Sequence, residues 1–155
     1  MNKKIIIFII IIIIITVIII NKTIAGVGNS IKTSDDFVVI NNTKINIIKA
    51  KTEQEIQKGL GGFKTLPPDT GMLFFMNNRA VHTFWMKEMK FPLDIIWIDD
   101  DQIVDINKNV PVEKGLSLKL YKPGKPANFV LEVPAGYCEK NNINVSDKIS
   151  GIDKI

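Results

Sequence analysis

Between Ile5 and Ile20 the chain runs for sixteen residues with no charged group and one hydroxyl, Thr16, and isoleucine fills most of the positions. A helix on the surface of a soluble domain needs a polar face, and this segment has none. Isoleucine is β-branched and a middling helix former in water, whereas in lipid the backbone has no partner but itself and a helix is imposed. The run is shorter than the ~20 residues of a full membrane span. It is slightly longer than the roughly 7–15 residues of a signal-peptide core. Met1-Asn2-Lys3-Lys4 gives it a basic start, and Thr23-Ile24-Ala25 offers an imperfect cleavage site. Residues 1–25 therefore read as an N-terminal membrane anchor or a cleaved signal peptide. Lys3 and Lys4 would stay cytoplasmic, with the rest of the chain extracytoplasmic or secreted.

Setting this segment aside changes the charge argument. The whole chain carries 20 basic and 16 acidic side chains, a net charge of +4. Lys3, Lys4 and Lys22 lie in the leader, which holds no acid, so the remainder is close to neutral. Arg79 is the only arginine. A groove that tracks phosphates needs a local excess of cations, so nucleic acid is not an expected partner. Cys138 is the only cysteine. No internal disulfide can form, and the domain must stand on its apolar core.

Residues 26–36 are small and polar and read as a tether, leaving 37–155 as one globular domain. Residues 37–40 and 44–51 are strand-like and flank Asn41-Asn42-Thr43, a turn suited to positive φ. Thr52 and Glu55 form a capping box that starts a short helix ending at Gly59 or Gly61. Residues 71–76 are continuously apolar and too short for a helix, which predicts a strand buried on both faces. Strands are further expected over 81–87, 93–99, 103–108 and 128–133. One short helix is expected within 135–143, and a last short strand near the C-terminus. The fold class is mainly β, a small antiparallel sandwich or partly closed barrel with one or two short helices, preceded by the N-terminal hydrophobic helix.

Several stretches occur in a fixed order: Gly59-Leu60, "LPPDTGMLFFM" (66–76), "FWMK" (84–87), "PLDIIWID" (92–99), "VLEVPAG" (130–136) and a turn at Asp147. Together they resemble the family catalogued as domain of unknown function 192, over roughly residues 44–152. The resemblance implies a compact, jelly-roll-like β fold, often on an exported or membrane-anchored chain, and no assigned activity. The chain departs from the family pattern at two places. Gly61-Gly62-Phe63 stands where a Met and an Arg tend to follow Gly-Leu, and Glu88 stands where Asn tends to follow Trp-Met-Lys.

The candidate chemistry centres on "HTFWMKEMKFPLDIIWID" (82–99). Read as a hairpin with Met89 to Pro92 as its loop, it sets Lys87 opposite Asp94, with Trp85 on the same face. His82, Phe84 and Met86 would share the other face with Leu93, Ile95 and Trp97. A lysine and an aspartate across a ladder either fix register or bind a ligand beside the indole. Tyr121, opening "YKPGKP" (121–126), is a further ligand-contact candidate on a loop expected to be exposed and extended. His82, Met86 and Met89, with Met72, Met76 and Cys138, are soft ligands suited to copper(I), but methionine more often fills core gaps. A hydrolase would have to use His82 as its base, and no Gly-x-Ser-x-Gly elbow exists. Paired carboxylates could come from Asp94, Asp99 to Asp101, Asp105 or Glu132. The expected function is a binding or accessory module of the cell envelope, contacting the membrane through residues 5–20 and an envelope ligand or protein through the domain. The alternative is a small hydrolase or metal-handling protein with its site near Lys87, Asp94 and His82. No cofactor is expected.

Overall fold

The computed structural model describes residues 35–113, 115 and 118–155, so the proposed anchor and most of the tether lie outside the described residues. Among the described residues no helix is long and apolar enough to cross a membrane. Seven strands form one curled, half-barrel sheet. They are β1 (Phe37–Ile40), β2 (Thr43–Ala50), β3 (Thr70–Ala80), β4 (Leu93–Asp99), β5 (Gln102–Val110), β6 (Ala127–Pro134) and β7 (Ile149–Ser150). Their order across the sheet is β5-β4-β6-β3-β2-β1-β7. Two short helices, α1 (Glu53–Lys58) and α2 (Tyr137–Lys140), complete the domain with a 3-10 turn at Ile152–Lys154.

The β1–β2 hairpin follows from its turn. Asn41 and Asn42 both adopt positive φ, 48° and 65°, which asparagine accepts at low cost. The pairing of β2 with β3 is parallel, so the chain must cross over, and α1 with residues 59–69 makes that crossover. Of the two expected architectures the sheet is nearer the partly closed barrel than the sandwich, and the expectation of antiparallel pairing throughout is corrected at β2–β3. The sheet is single and mixed, and its far edges meet at one end. Ile103 donates to the Asp147 carbonyl at 2.9 Å, Ser146 to the Ile103 carbonyl at 2.8 Å, and Ile149 to the Asp101 carbonyl at 2.9 Å. These bonds tie the start of β5 to the segment entering β7.

The expected strand over 81–87 is absent. Those residues run irregularly, and Phe84 alone makes a bridge, to Tyr121, through two backbone bonds of 2.8 Å. The hairpin pairing Lys87 with Asp94 therefore does not form, because β4 pairs with β5 and β6 instead. β4 is buried along nearly its whole length. That is why its sequence is almost continuously apolar rather than alternating.

Both faces of the sheet carry a core. One gathers Ile45, Leu73, Ile96, Ile98, Leu131 and Cys138 with other aliphatic residues. The other gathers Met72, Phe74, Met86, Met89, Trp97 and Val130, with Phe84 packed against it. Phe84 meets Phe74 edge-on at 5.0 Å and Trp97 edge-on at 5.4 Å. The expectation that Phe84 and Met86 share a face with Leu93, Ile95 and Trp97 holds in the packing, although a loop and not a strand delivers them.

Candidate functional site

The aromatic face is incompletely covered. α1 lies on one side of the opening and residues 82–89 on the other. α1 is fixed by the capping box that the sequence predicts. Thr52 Oγ1 accepts from the Glu55 N–H at 3.2 Å, and the Glu55 carboxylate accepts from the Thr52 and Lys51 N–H groups at 2.9 Å each. These bonds hold the Glu55 carboxyl below its usual range, the Thr52 backbone bond contributing most. Gly59 ends the helix at φ 49° beside the Phe74 ring. Gly62 N–H then donates to the Glu88 carbonyl at 3.1 Å, which joins the two sides.

Between them is a groove of about 690 Å³. Phe74, Met76, Phe84, Trp85 and Leu60 supply its apolar surface, and Lys58, His82, Lys87 and Glu88 its titratable groups. Trp85 is 49% exposed, and the Lys87 ammonium lies 5.7 Å from the centre of its ring. His82 Nε2 donates to the Asn78 carbonyl at 2.8 Å, which fixes the ring at the rim of the groove.

Glu132 lines the same groove and is 4% exposed. It faces Met72 and Ile95 across the sheet. Among the described residues its carboxyl has no hydrogen-bond or ion-pair partner. Burial alone pushes the group up to about 8, so it is mostly protonated at neutral pH. Sequence reasoning weighed Glu132 only as one of several acids. The signal available was positional. A glutamate in "NFVLEV" falls on the Val130 face of a central strand, where a charged residue has no reason of packing to be.

The other candidates are dispersed. Asp94 is fully buried and away from the groove. Its Oδ1 accepts from Asn109 N–H at 2.7 Å and Gly136 N–H at 3.3 Å, and its Oδ2 from Cys138 N–H at 2.9 Å. It is a structural staple of β5 and α2 to β4. Tyr121 is buried, not exposed as expected, and its hydroxyl donates to Glu113 at 2.9 Å. Burial, then the bond to Glu113, raises the Tyr121 phenol. Met86 and Met89 are core residues, and Cys138 belongs to the opposite apolar cluster. Burial, with the Asp94 charge second, pushes the Cys138 thiol up to about 12, the state of an inert cysteine. The soft-ligand set is thus divided between the two faces. Among the described residues no group of three or more His, Cys, Asp or Glu side chains could hold a metal ion.

The profile of domain of unknown function 192, described as an uncharacterised ACR, matches residues 37–151. The chain belongs to this family. It is 27% identical over 123 residues to a UPF0127 protein of Pyrococcus abyssi, which covers 74% of this chain and 97% of that protein. A protein of unknown function from Novosphingobium aromaticivorans is similar in structure at a TM-score of 0.67 and 28% identity, over 74% of this chain and 83% of that one. A second solved structure, described as a putative transcription regulator from Sinorhizobium meliloti, shares the fold at a TM-score of 0.69 and 24% identity, over 79% and 98% of the two chains.

Many of this chain's family-motif residues have plain structural work. Gly71 has no room for a Cβ, which would sit 2.8 Å from the Glu132 carbonyl. Gly136 turns the chain into α2 at φ 80°. Asp147 accepts from Asn144 N–H at 2.7 Å and holds the closing turn. Trp85, Lys87 and Glu132 have no comparable structural task, and all three line the groove.

Proposed function

We propose that this domain is a binding module of the cell envelope, held outside the membrane by residues 5–20, and that it takes a small, partly apolar molecule in the groove between α1 and residues 82–89. The observation that carries the reading is the groove itself. It is large enough for a small ligand, walled by aromatic and aliphatic side chains, with a few polar groups converging on it. An exposed indole beside a lysine suits a contact with a ligand better than a contact with water. Lys87 and Trp85 are the candidate contacts at the mouth, and Glu132 the one at the floor.

The test is a ligand-observed NMR screen of the full-length chain against small amphipathic compounds. Genuine groove ligands compete with one another and lose about tenfold or more in affinity in Trp85→Ala. Ligands indifferent to Trp85→Ala would move the site elsewhere. Turnover of a compound, instead of reversible binding, would favour the hydrolase reading, for which a carboxyl held neutral is a ready proton donor. The envelope location is checked by protease added outside spheroplasts, which should digest the domain. Protection from that protease would remove the location from the proposal.

A further inference from the structure

A buried carboxyl without a partner is costly, and native proteins rarely leave one. Glu132 comes close to that state: the residue is 4% exposed, no described group of the fold pairs with its carboxyl, and only the groove reaches it. The strands beside it offer Met72 and Ile95, neither of them a donor. The charged groups that face the groove are Lys58 on α1 and His82, Lys87 and Glu88 on the opposite wall, and none pairs with it. The Glu132 oxygens open onto the groove, so their partner is whatever the groove holds, solvent or a ligand.

We propose that the groove's ligand is a monoamine whose ammonium group pairs with the Glu132 carboxylate while its apolar body lies along Phe74 and Phe84. The proposal rests on the groove being a ligand site and names the chemistry of that ligand. Two features favour a cation over a neutral hydrogen-bonding group. An ammonium restores to the carboxylate the counter-charge that the fold withholds, and charge-assisted bonds are about twice as strong as neutral ones. The walls are aromatic faces and edges, with Phe84 stacked edge-on against both Phe74 and Trp97, and π faces attract ammonium groups. Lys58 and Lys87 set the limit on charge. A polyamine would bring further cations against them, so a single ammonium fits best.

Binding is then coupled to a proton. Free Glu132 is mostly protonated at pH 7, and pairing with an ammonium requires the carboxylate. One proton leaves the carboxyl for solvent as the ion pair forms.

The experiment titrates the full-length chain calorimetrically with 2-phenylethylamine, hexylamine and cyclohexylmethylamine, and with the matched alcohols. Titrations at pH 7 use buffers of low and high ionisation enthalpy. The amines should bind at least about tenfold tighter than the alcohols and release about one proton per site. Glu132→Gln should remove both the preference and the proton release. Because Gln is close in size and neutral, its circular dichroism and Tm should match or exceed the parent's, which separates lost recognition from lost fold. Spermidine should bind no tighter than hexylamine. Alcohols binding as tightly as amines, or amines binding Glu132→Gln unchanged, would overturn the amine assignment and leave the groove reading standing. Failure of all six compounds to bind more tightly than about 10 mM, together with an empty NMR screen, would overturn both.

Discussion

Two buried acids on neighbouring strands teach opposite lessons. Asp94 on β4 and Glu132 on β6 are both under 5% exposed. Asp94 projects toward the aliphatic side, where three backbone N–H groups meet its oxygens. Glu132 projects toward the aromatic side, where no described group of the fold pairs with it and its carboxyl opens onto the groove. Burial alone says nothing about role. The number of satisfied oxygens does, because a carboxyl that is fully hydrogen-bonded has been given its partner by the fold and one that is bare has not. The two cores differ in the same sense. The aliphatic face is closed by α2, Ile143 and β7, and the aromatic face opens into a groove.

The comparison breaks first at Asp94. Asp94→Asn keeps the volume but turns an NH2 toward backbone donors, so it should destabilise the domain by about 3–5 kcal/mol. Thermal or urea unfolding measures this. A loss under about 1 kcal/mol would mean that the three bonds are incidental.

Glu132→Gln should do the reverse, with an effect that depends on pH. The folded carboxyl titrates near 8, against 4.5 for the ordinary value. A group raised on folding contributes stability that is full below about 4.5, declines as pH rises, and is gone above about 8. The parent should therefore lose stability across that window while Glu132→Gln stays flat, the difference reaching the order of 2–4 kcal/mol near pH 8–9. Glu55 and Asp101 are shifted downward, so their losses fall at more acidic pH and do not obscure the window. Parallel stability-versus-pH curves for the two proteins would show that Glu132 is already satisfied in the free chain.

Legibility in the sequence follows the range of the interactions involved. The β1–β2 turn, the α1 capping box and the β4 and β6 strands depend on neighbours within a few residues, and local pattern reveals them. The parallel β2–β3 pairing and the edge closure depend on contacts between distant segments, which no local window contains. "VHTFWMK" has the alternation and aromatic content of a strand, yet tertiary packing overrides it. Its Phe84 and Met86 are needed as a lid over Trp97, and the space beside β4 is already taken by β5 and β6. The candidate site divides the same way. Trp85 and Lys87 are legible because they are large or charged residues in an apolar run. Glu132 is legible only as a charge on the apolar face of a strand, because its distinguishing property is an absent partner, and an absence shows only once every neighbour has been placed.

The smallest expected effect lies at the rim of the groove. Among the described residues eight non-glycine residues have positive φ, and seven of them are Asn, Asp or Ser. Glu88 is the exception at φ 59°. It occupies the third position of a turn in which Met89 N–H donates to the Met86 carbonyl at 3.3 Å, a position that in such turns favours Gly or Asn. The resemblance in sequence pointed to Asn at this place, and the backbone gives the reason. A long, unbranched side chain without the local hydrogen bonds of Asn bears some strain there. Glu88→Asn should therefore raise stability by about 0.5–1 kcal/mol, read as a small rise in Tm with Lys87 and Trp85 untouched. If stability falls instead, the Glu88 side chain is contributing to the groove wall, and the turn is strained for the sake of what the groove holds.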